Sequence, residues 1–430
     1  MRDETRQRAN ELSRRDFIRT SAAMSLAVVG SQTGRLFAGG SDRLRIGLIG
    51  CGGRGTGAVK DCVNSSAGVE LVAMGDLFKD RLQGSFEDLR KNLGDKFKVT
   101  KGTCFVGFDA YQNVIACDVH MVILATPPHF RPATLKAAVD AGKHVFMEKP
   151  VGVDPAGIRS VIASSERANE KGLAIVAGTQ RRHQAHYVEL MKRIHNGDIG
   201  DIVGGQCYWN GGKMLGYWPW YDRQPGMAGM EWQCRNWPWF TWLSGDHIVE
   251  QHVHNLDVMN WALRAHPLQC MGMGGRQVRK LGNIFDHFAV EFEYPHGVRV
   301  SSMCRQIEGC TENVSERVVG TKGRSYTDSS TGYLEGPNAY KYDGPNPNPY
   351  VQEHANLIKS IRGGNPLNEG RRVAESTLAA IMGRMSAYTG RALKWDWAMN
   401  ASKLDLSLPK YEFGDMAVAP VAVPGKTPLV

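Results

Sequence analysis

A glycine-rich turn between an apolar run and a helical pattern constrains the fold of this 430-residue chain most strongly. Residues 44–49 are apolar with one charge, the turn reads Gly50-Cys51-Gly52-Gly53-Arg54-Gly55, and residues 56–63 have helical spacing. This order predicts a strand, a tight turn and a helix whose free N–H groups face a ligand phosphate. The alternative is a glycine-rich turn without a ligand. We predict dinucleotide binding by Gly50, Gly52, Gly53, Arg54 and Gly55.

An acidic residue stands where the second strand of such a fold would end. Residues 69–74 form a second apolar run, which leads to Asp76, 26 positions after Gly50. A carboxylate at this point accepts hydrogen bonds from the adenosine ribose and repels a 2'-phosphate. We therefore expect NAD as the cofactor, with Asp76 among its contacts. NADP is a possible alternative, because Lys79 and Arg81 follow closely and can bind a phosphate.

The next segments continue the alternation of strands and helices. Apolar runs at 119–125 and 144–147 flank a helical pattern at 131–141, which predicts an α/β fold with a doubly wound parallel sheet. Ligands of such sheets bind beyond the carboxyl ends of the strands. Two segments fall at these ends, and from them we predict cofactor contacts by Thr126, Pro127, His129, Glu148 and Lys149. The alternative for Lys149 is a solvated charge at a strand exit.

The N-terminus reads as a targeting segment. Ser13-Arg14-Arg15-Asp16-Phe17-Ile18-Arg19 is typical of a twin-arginine export signal, and the apolar stretch 21–30 that follows is shorter than the roughly 20 residues that span a bilayer. We predict residues 1–40 as signal and linker and a periplasmic location. Because this route carries folded proteins, the cofactor is expected to travel tightly bound. An ordinary basic amphipathic N-terminus is the alternative.

The charge pattern gives little support for a nucleic-acid partner. Seven arginines against four acidic residues in 1–38 supply three of the nine net positive charges, and no run of lysine or arginine exceeds two residues. No basic stripe for a phosphate backbone is visible. We expect no nucleic-acid partner, and no membrane contact beyond the export signal.

Tryptophans concentrate in one part of the second half. Seven of the ten are Trp209, Trp218, Trp220, Trp232, Trp237, Trp239 and Trp242. Glycines and prolines lie between them, which predicts a loop-rich aromatic insertion. Aromatic faces pack against a sugar ring, so we predict substrate contacts by Trp209, Arg235 and Trp237. The alternative is that the rings seal a dimer interface or a long loop.

Beyond the tryptophans, the patterns change to antiparallel strands and then helices. Residues 269–278, 288–294 and 298–306 alternate apolar and polar side chains, and 351–362 and 371–389 have helical spacing.

The chain resembles the Gfo/Idh/MocA family of NAD(P)-dependent sugar enzymes, which includes glucose-fructose oxidoreductase and inositol dehydrogenase. The resemblance runs from about residue 43 to 398 and is carried by the glycine turn, Ala125-Thr126-Pro127-Pro128-His129, Glu148-Lys149-Pro150 and Gln180-Arg181-Arg182. It implies a Rossmann domain over 41–178, a substrate-binding and oligomerisation α+β domain with an open, mostly antiparallel sheet over 179–400, a tail over 401–430, and a homo-oligomer. It also implies substrate contacts by Gln180 and Arg182.

Residues 250–257 are similar to a second signature of this family. The resemblance implies that His254 is the base, that Glu250 orients its ring, and that Lys149 lies against nicotinamide and the substrate hydroxyl. Here His252 replaces the usual glycine, which adds a titratable substrate contact to the pocket. A metal site built from Asp246, His247, Glu250, His252 and His254 and a structural histidine cluster are the alternatives; no metal is predicted, because the H-E-x-x-H spacing is missing.

These parts predict an exported oxidoreductase that acts on a secondary hydroxyl of a sugar or glycoside, by hydride transfer to a tightly bound nicotinamide. The alternative in another reaction class is a redox-neutral, NAD-dependent glycosidase. Such an enzyme oxidises the sugar, eliminates the aglycone, adds water and returns the hydride to the sugar. A lesser alternative is a sugar-binding protein without turnover.

Overall fold

The computed structural model describes residues 43–212, 214 and 218–430, and residues 43–430 form one unit. The predicted export signal lies outside the described residues. A six-stranded parallel sheet is built from β1 Leu44–Ile49, β2 Val69–Asp76, β3 Cys104–Val106, β4 Met121–Leu124, β5 His144–Met147 and β6 Ile175–Ala177. Its strand order is β3-β2-β1-β4-β5-β6, the doubly wound order that the alternation of patterns predicts.

Helices cover both faces of this sheet. They are α1 Gly53–Ser65, α2 Lys79–Leu93, α3 Ala110–Ala116, α4 Arg131–Asp140 and α5 Pro155–Glu170. The central strand β1 pairs with β2 on one side and β4 on the other, and its apolar side chains are buried. A strand that is covered on both faces needs a continuous apolar run, which explains why β1, β4 and β5 could be recognised from the sequence.

The second sheet has nine strands and is mixed, but mostly antiparallel. Its strands are β7 Ile202–Gly211, β8 Gln269–Gly275, β9 His287–Glu293, β10 Arg299–Gln306, β11 Asn313–Gly320, β12 Arg324–Asp328, β13 Gly332–Glu335, β14 Tyr340–Lys341 and β15 Leu393–Lys394. They are ordered β14-β13-β12-β11-β7-β10-β9-β8-β15. Within the described ranges, β7 and β10 form the single parallel pair of this sheet, so the predicted fold class is confirmed.

Further helices accompany this sheet. They are α6 Ala185–His195, α7 Gly229–Arg235, α8 Thr241–Ser244, α9 His247–Glu250, α10 Val253–Leu263, α11 Pro349–Arg362, α12 Gly370–Thr389 and α13 Trp395–Asn400. Helix α12 is buried along most of its length and packs against both β8 and α5, so it joins the two sheets through one core. Helix α10 packs between β7 and α12.

The aromatic segment has more regular structure than its composition predicts. Trp209 lies on β7 and not in a loop, and the tryptophans from 232 onward lie on or beside α7, α8 and a short 3-10 turn at Trp237–Trp239. The tail 401–430 contains no helix or strand. Among the described residues, none of the helices combines the length and the apolar character needed to cross a membrane.

Candidate active site

The glycine turn after β1 is tight on one side and open on the other. Gly50 has a φ of +99°, and a Cβ there would lie 2.6 Å from the Ala125 carbonyl carbon. A Cβ at Gly55 would lie 1.9 Å from the Gly50 oxygen, whereas one at Gly52 or Gly53 would meet nothing within 4 Å. Helix α1 starts at Gly53, so its free N–H groups face this open space. The turn therefore fits the pyrophosphate of a dinucleotide.

Asp76 ends β2 beside this turn. Its Oδ2 accepts a hydrogen bond of 2.6 Å from the Cys51 N–H, and its Oδ1 accepts one of 2.8 Å from the Phe78 N–H. Burial raises the pKa of Asp76, and the two N–H donors and Arg81 oppose that rise. Each carboxylate oxygen keeps a lone pair for another donor. The carboxylate is thus held where the adenosine ribose of a Rossmann cofactor binds.

A cleft of about 690 Å³ lies along these elements. It contains most of the predicted cofactor contacts: Gly50, Gly52, Gly53, Arg54, Asp76, Thr126, Pro127 and His129. Its wall also includes aromatic residues that were not predicted to bind the cofactor: Phe78, Phe108, Phe130, Trp218 and Tyr411. The cleft is therefore built by the Rossmann loops together with the aromatic segment and the C-terminal tail.

Arg235 and Trp237 line this cleft, although both were predicted to bind substrate. Arg235 forms an ion pair of 3.2 Å with Asp80, and its guanidinium lies 4.1 Å from the centre of the Phe78 ring. Both contacts are on the loop and helix that follow Asp76. Arg235 is therefore grouped with the predicted cofactor contacts around Asp76, and its predicted substrate contact stays a prediction.

His129 is held by the C-terminal tail. Its Nε2 shares a hydrogen bond of 2.8 Å with the hydroxyl of Tyr411. Burial lowers the pKa of His129 to about 4, so the ring is neutral at physiological pH. A neutral, buried ring suits the wall of the cleft better than it suits the binding of a phosphate charge.

Lys149 lies just beyond β5 and is paired with Glu250. The Lys149 Nζ donates to the Glu250 backbone oxygen at 2.5 Å and lies 3.3 Å from Oε1 of the same residue. The peptide bond from Lys149 to Pro150 is cis. The family resemblance implied that Glu250 orients His254, but the structure pairs Glu250 with the lysine. The reason is local: Glu250 ends α9, and His254 belongs to the first turn of the separate helix α10.

His254 is buried and stacked on Trp209. The two rings are 5.6 Å apart at 20°, and Nδ1 of His254 has no hydrogen-bond partner within the described residues. Burial, followed by the charges of Lys149 and Arg181, lowers the pKa of His254 well below its usual value. The imidazole is therefore neutral and can accept a proton.

Arg181 supports Trp209 from the core, a role the sequence did not reveal. Its Nη1 lies 2.6 Å from Oε1 of Glu316, both side chains are buried, and its guanidinium lies 5.6 Å from the centre of the Trp209 ring. Arg182, which was predicted to bind substrate, forms a partly buried ion pair of 2.7 Å with Asp257. The side chain that contacts Trp209 is thus Arg181, the neighbour of the predicted Arg182.

An ion pair connects the lysine segment to the glycine turn. Arg54 lies 2.7 Å from Oε1 of Glu148, the residue before Lys149, and its guanidinium lies 5.0 Å from the centre of the Tyr350 ring. Gln180 donates to the Tyr350 hydroxyl at 3.3 Å. The ion pair therefore links the cofactor turn to the segment that carries Lys149.

His252 lies in the core and not in the pocket. It is fully buried, and its Nε2 lies 2.7 Å from the Ser302 hydroxyl and 3.7 Å from Sγ of Cys207. On helix α10 and its cap, His252 and His254 diverge, which corrects the prediction that His252 contacts substrate. Nowhere in the described ranges do three or more His, Cys, Asp or Glu side chains form a group that could hold a metal ion.

Two family models match the chain. "Oxidoreductase family, NAD-binding Rossmann fold" matches residues 44–192, and "GFO/IDH/MocA C-terminal domain" matches residues 187–326. The chain is 24% identical over 289 residues to scyllo-inositol 2-dehydrogenase (NAD(+)) of Bacillus subtilis, covering 65% of this chain and 72% of that enzyme. It is 27% identical over 223 residues to inositol 2-dehydrogenase of Salmonella typhimurium, covering 51% of this chain and 54% of that enzyme.

Solved structures show the same fold. Aldose-aldose oxidoreductase from Caulobacter crescentus has a TM-score of 0.63 at 17% identity and covers 82% of this chain and 99% of that one. The WlbA dehydrogenase from Bordetella pertussis, in complex with NADH and UDP-GlcNAcA, has a TM-score of 0.63 at 19% identity, with 82% and 98% covered. The two family matches overlap at residues 187–192 and together span residues 44–326, more than half of the sequence. The chain belongs to the Gfo/Idh/MocA family and is an NAD-dependent oxidoreductase of the class that acts on CH–OH groups.

Proposed function

We propose that this protein oxidises a secondary hydroxyl of a sugar, a glycoside or a related cyclic polyol, with Lys149 and His254 at the reacting carbon. The observation that carries the proposal is a neutral His254 stacked on Trp209 within the electrostatic reach of the Lys149 ammonium. This group is joined to the glycine turn by the ion pair between Arg54 and Glu148.

His254 acts as the base in this proposal. The pKa of its ring is lowered, first by burial, so the ring is neutral but weakly basic. A hydroxyl oxygen next to the Lys149 ammonium loses its proton more readily, because the cation stabilises the developing negative charge. Lys149 thus offsets the weak basicity of His254, and the proton leaves the hydroxyl for the imidazole. The nicotinamide of bound NAD supplies the hydride acceptor.

Glu250 holds the lysine in this arrangement. Its backbone and side-chain oxygens both contact Nζ, and no further Nζ partner is found in the described part of the chain, which leaves one donor for a substrate oxygen. Glu250 is therefore a positioning residue for Lys149 in this account.

The aromatic wall favours a ring-shaped substrate. Trp209 presents a flat face beside His254, and such faces pack against the apolar C–H face of a sugar or inositol ring. Gln180 and Tyr350 are linked to each other and, through the Tyr350 ring, to Arg54 of the glycine turn, and both carry hydrogen-bonding groups. Inositol and aldose substrates in the names of the relatives agree with this class.

Export follows from the twin-arginine segment at residues 13–19, as a proposal on sequence grounds. In the periplasm, the cofactor has to be kept and regenerated on the protein. A second carbonyl substrate then accepts the hydride and returns the cofactor to its oxidised form. In a redox-neutral glycosidase reaction, the same substrate takes the hydride back.

A homo-oligomer is part of the proposal. The outer face of the nine-stranded sheet exposes Met271, Met273 and Met303, with exposed fractions of 54%, 72% and 45%. These residues lie on β8 and β10, two strands from each other in the sheet. Exposed methionines on one open sheet face support contact with a second copy.

The test uses the full chain purified without added cofactor and incubated with inositols, aldoses and aryl glycosides. Mass spectrometry then follows keto product and released aglycone. About one equivalent of keto product per protein, with turnover resumed by a second carbonyl sugar, supports the oxidoreductase. Many turnovers of aglycone release without external NAD support the glycosidase alternative instead.

His254→Asn is the decisive variant, with His296→Asn as its matched control. His296 is exposed in a turn with a φ of +63°, a conformation that asparagine tolerates. We expect His254→Asn to lose turnover while it keeps NAD, and His296→Asn to match the original chain. Full turnover by His254→Asn would contradict the assignment, and absence of both dinucleotide and turnover in the original chain would favour a sugar-binding protein.

A further inference from the structure

The C-terminal tail crosses the mouth of the cofactor cleft. Tyr411 lines the cleft, and its hydroxyl is bonded to His129, which follows β4. The family matches end at residue 326, so neither accounts for this segment. We call residues 405–416 the strap.

Two aromatic side chains of the strap meet three loops of the Rossmann domain. Phe413 stacks on Phe78 with ring centres 5.9 Å apart and meets the edge of Phe108 at 5.2 Å. Tyr411 lies 5.7 Å from Phe130 and 6.1 Å from Phe108. Phe78, Phe108 and Phe130 follow β2, β3 and β4, respectively. The strap therefore packs against the loops at the carboxyl ends of β3, β2 and β4, of which β2 and β4 flank the central strand β1.

This position corresponds to the adenosine half of the cleft. Asp76, at the end of β2, marks the ribose, and Phe78 is two residues further along. An adenine ring attached to that ribose would lie between the loops after β2, β3 and β4, which is where the aromatic side chains collect. Flat aromatic faces are the surfaces on which a base stacks.

The strap is fastened on both sides of these rings. Before them, the Leu406 N–H donates to Oδ2 of Asp154 at 2.8 Å. After them, the Met230 N–H donates to the Gly414 oxygen at 3.1 Å, and Gln233 donates to the Met416 oxygen at 3.1 Å. Met230 and Gln233 belong to α7 of the aromatic segment. The strap thus bridges the Rossmann domain and the second domain over the cleft.

We propose that the strap completes the adenosine subsite, through Tyr411 and Phe413, and sets the rate at which NAD leaves the protein. The inference rests on the assignment of the cleft to NAD and not on the substrate class. Release of the cofactor then requires the strap to separate from Phe78, Phe108 and Phe130. A strap of this kind supplies the retention that an exported enzyme without a free NAD pool needs.

The test measures dissociation directly. The full chain is loaded with NAD or with ADP-ribose, and the bound ligand is chased with an excess of its isotope-labelled form and followed by mass spectrometry. The variants are Tyr411→Ala and Phe413→Ala, and the control is Val418→Ala, an exposed residue of the same tail. We expect both variants to release both ligands at least about tenfold faster, and the control to release them at the original rate.

Three results would overturn the proposal. They are an unchanged release rate in both variants, faster release of NAD but not of ADP-ribose, and tighter binding in the variants, which would mean that the strap occupies the adenine position itself.

A measurement on the original chain covers the case in which the variants do not fold. Hydrogen exchange of backbone amides in 405–416 is compared with and without ADP-ribose. We expect protection of the strap to increase on binding, and unchanged exchange would contradict the proposal. Neither experiment needs a substrate. The strap proposal can therefore be tested even if the protein oxidises no sugar, and sugar oxidation can be tested even if the strap proposal fails.

Discussion

Gly52→Ala is expected to separate cofactor binding from folding. Gly52 has a φ of −73° and a ψ of −179°, which alanine adopts freely, and an added Cβ would meet no protein atom within 4 Å. The methyl group would instead fill the space left for the pyrophosphate. Forcing one carbon into a filled contact costs roughly 1–3 kcal/mol, which corresponds to a loss of about five- to 150-fold in NAD affinity. The loss of a glycine N-cap should change the free energy of unfolding by no more than about 1 kcal/mol.

The assay is titration calorimetry with NAD beside urea unfolding of the same preparations. Two matched variants bracket the result. Gly55→Ala places its Cβ 1.9 Å from the Gly50 oxygen, so both stability and affinity should fall. Gly84→Ala, at an exposed position of α2 with nothing within 4 Å, should leave affinity unchanged and stabilise the chain by about 0.5–1 kcal/mol. Wild-type NAD affinity in Gly52→Ala would refute the placement of the pyrophosphate.

Three further predictions test other parts of the account. Burial raises the pKa of Glu369, but Arg372 and His183 lower it to about 2, below its usual value of 4.5. Glu369→Gln should therefore lower the free energy of unfolding at pH 7 by about 2–3 kcal/mol, and this difference should shrink as the pH falls from 4.5 towards 2, as urea unfolding across pH can show. Asp76→Asn should weaken NAD binding and reduce the preference for NAD over NADP by about tenfold, measured as the ratio of the two Kd values. The reason is the removal of one charge whose repulsion of the 2'-phosphate is worth about 1.4 kcal/mol. Trp209→Leu should raise KM for ring substrates about five- to tenfold through loss of roughly 1 kcal/mol of stacking, with NAD affinity unchanged; an unaltered KM would remove Trp209 from the substrate wall.

The Rossmann half was predictable because its strands and its glycine turn are specified by short, continuous stretches of sequence. A strand covered on both faces has a continuous apolar run, and the glycine turn needs its glycines at the positions where the structure has a positive φ at Gly50 and a close approach at Gly55. Strands β3 and β6 were not identified, because each has only three residues and leaves no periodicity to read.

The second sheet was harder to predict. Strand β7 contains Gly204 and Gly205, which interrupt its alternation, and the tryptophan count drew Trp209 into a predicted loop. Strand β11 buries the charged Glu316, which a pattern of apolar residues cannot indicate. That glutamate is satisfied by Arg181 and other polar partners that are distant in the sequence.

Within the site, residues on short motifs could be proposed from the sequence, whereas residues that depend on long-range contacts could not. Lys149 follows a strand end and His254 follows a family signature, so both could be named from the sequence. Arg181 acts through a glutamate 135 positions away, and its neighbour Arg182 was named in its place. Tyr411 reaches His129 across 282 positions, from a tail with no periodicity at all.

The most direct test of the central claim is a single-turnover experiment on the NAD-loaded full chain. It is mixed with inositols and aldoses in the absence of free cofactor, and the absorbance of reduced nicotinamide is followed. We predict reduction of about one bound cofactor per protein by at least one ring substrate, and its loss in His254→Asn and Lys149→Met with NAD still bound. Reduction at the original rate in both variants, or no reduction by any sugar or polyol, would contradict the claim.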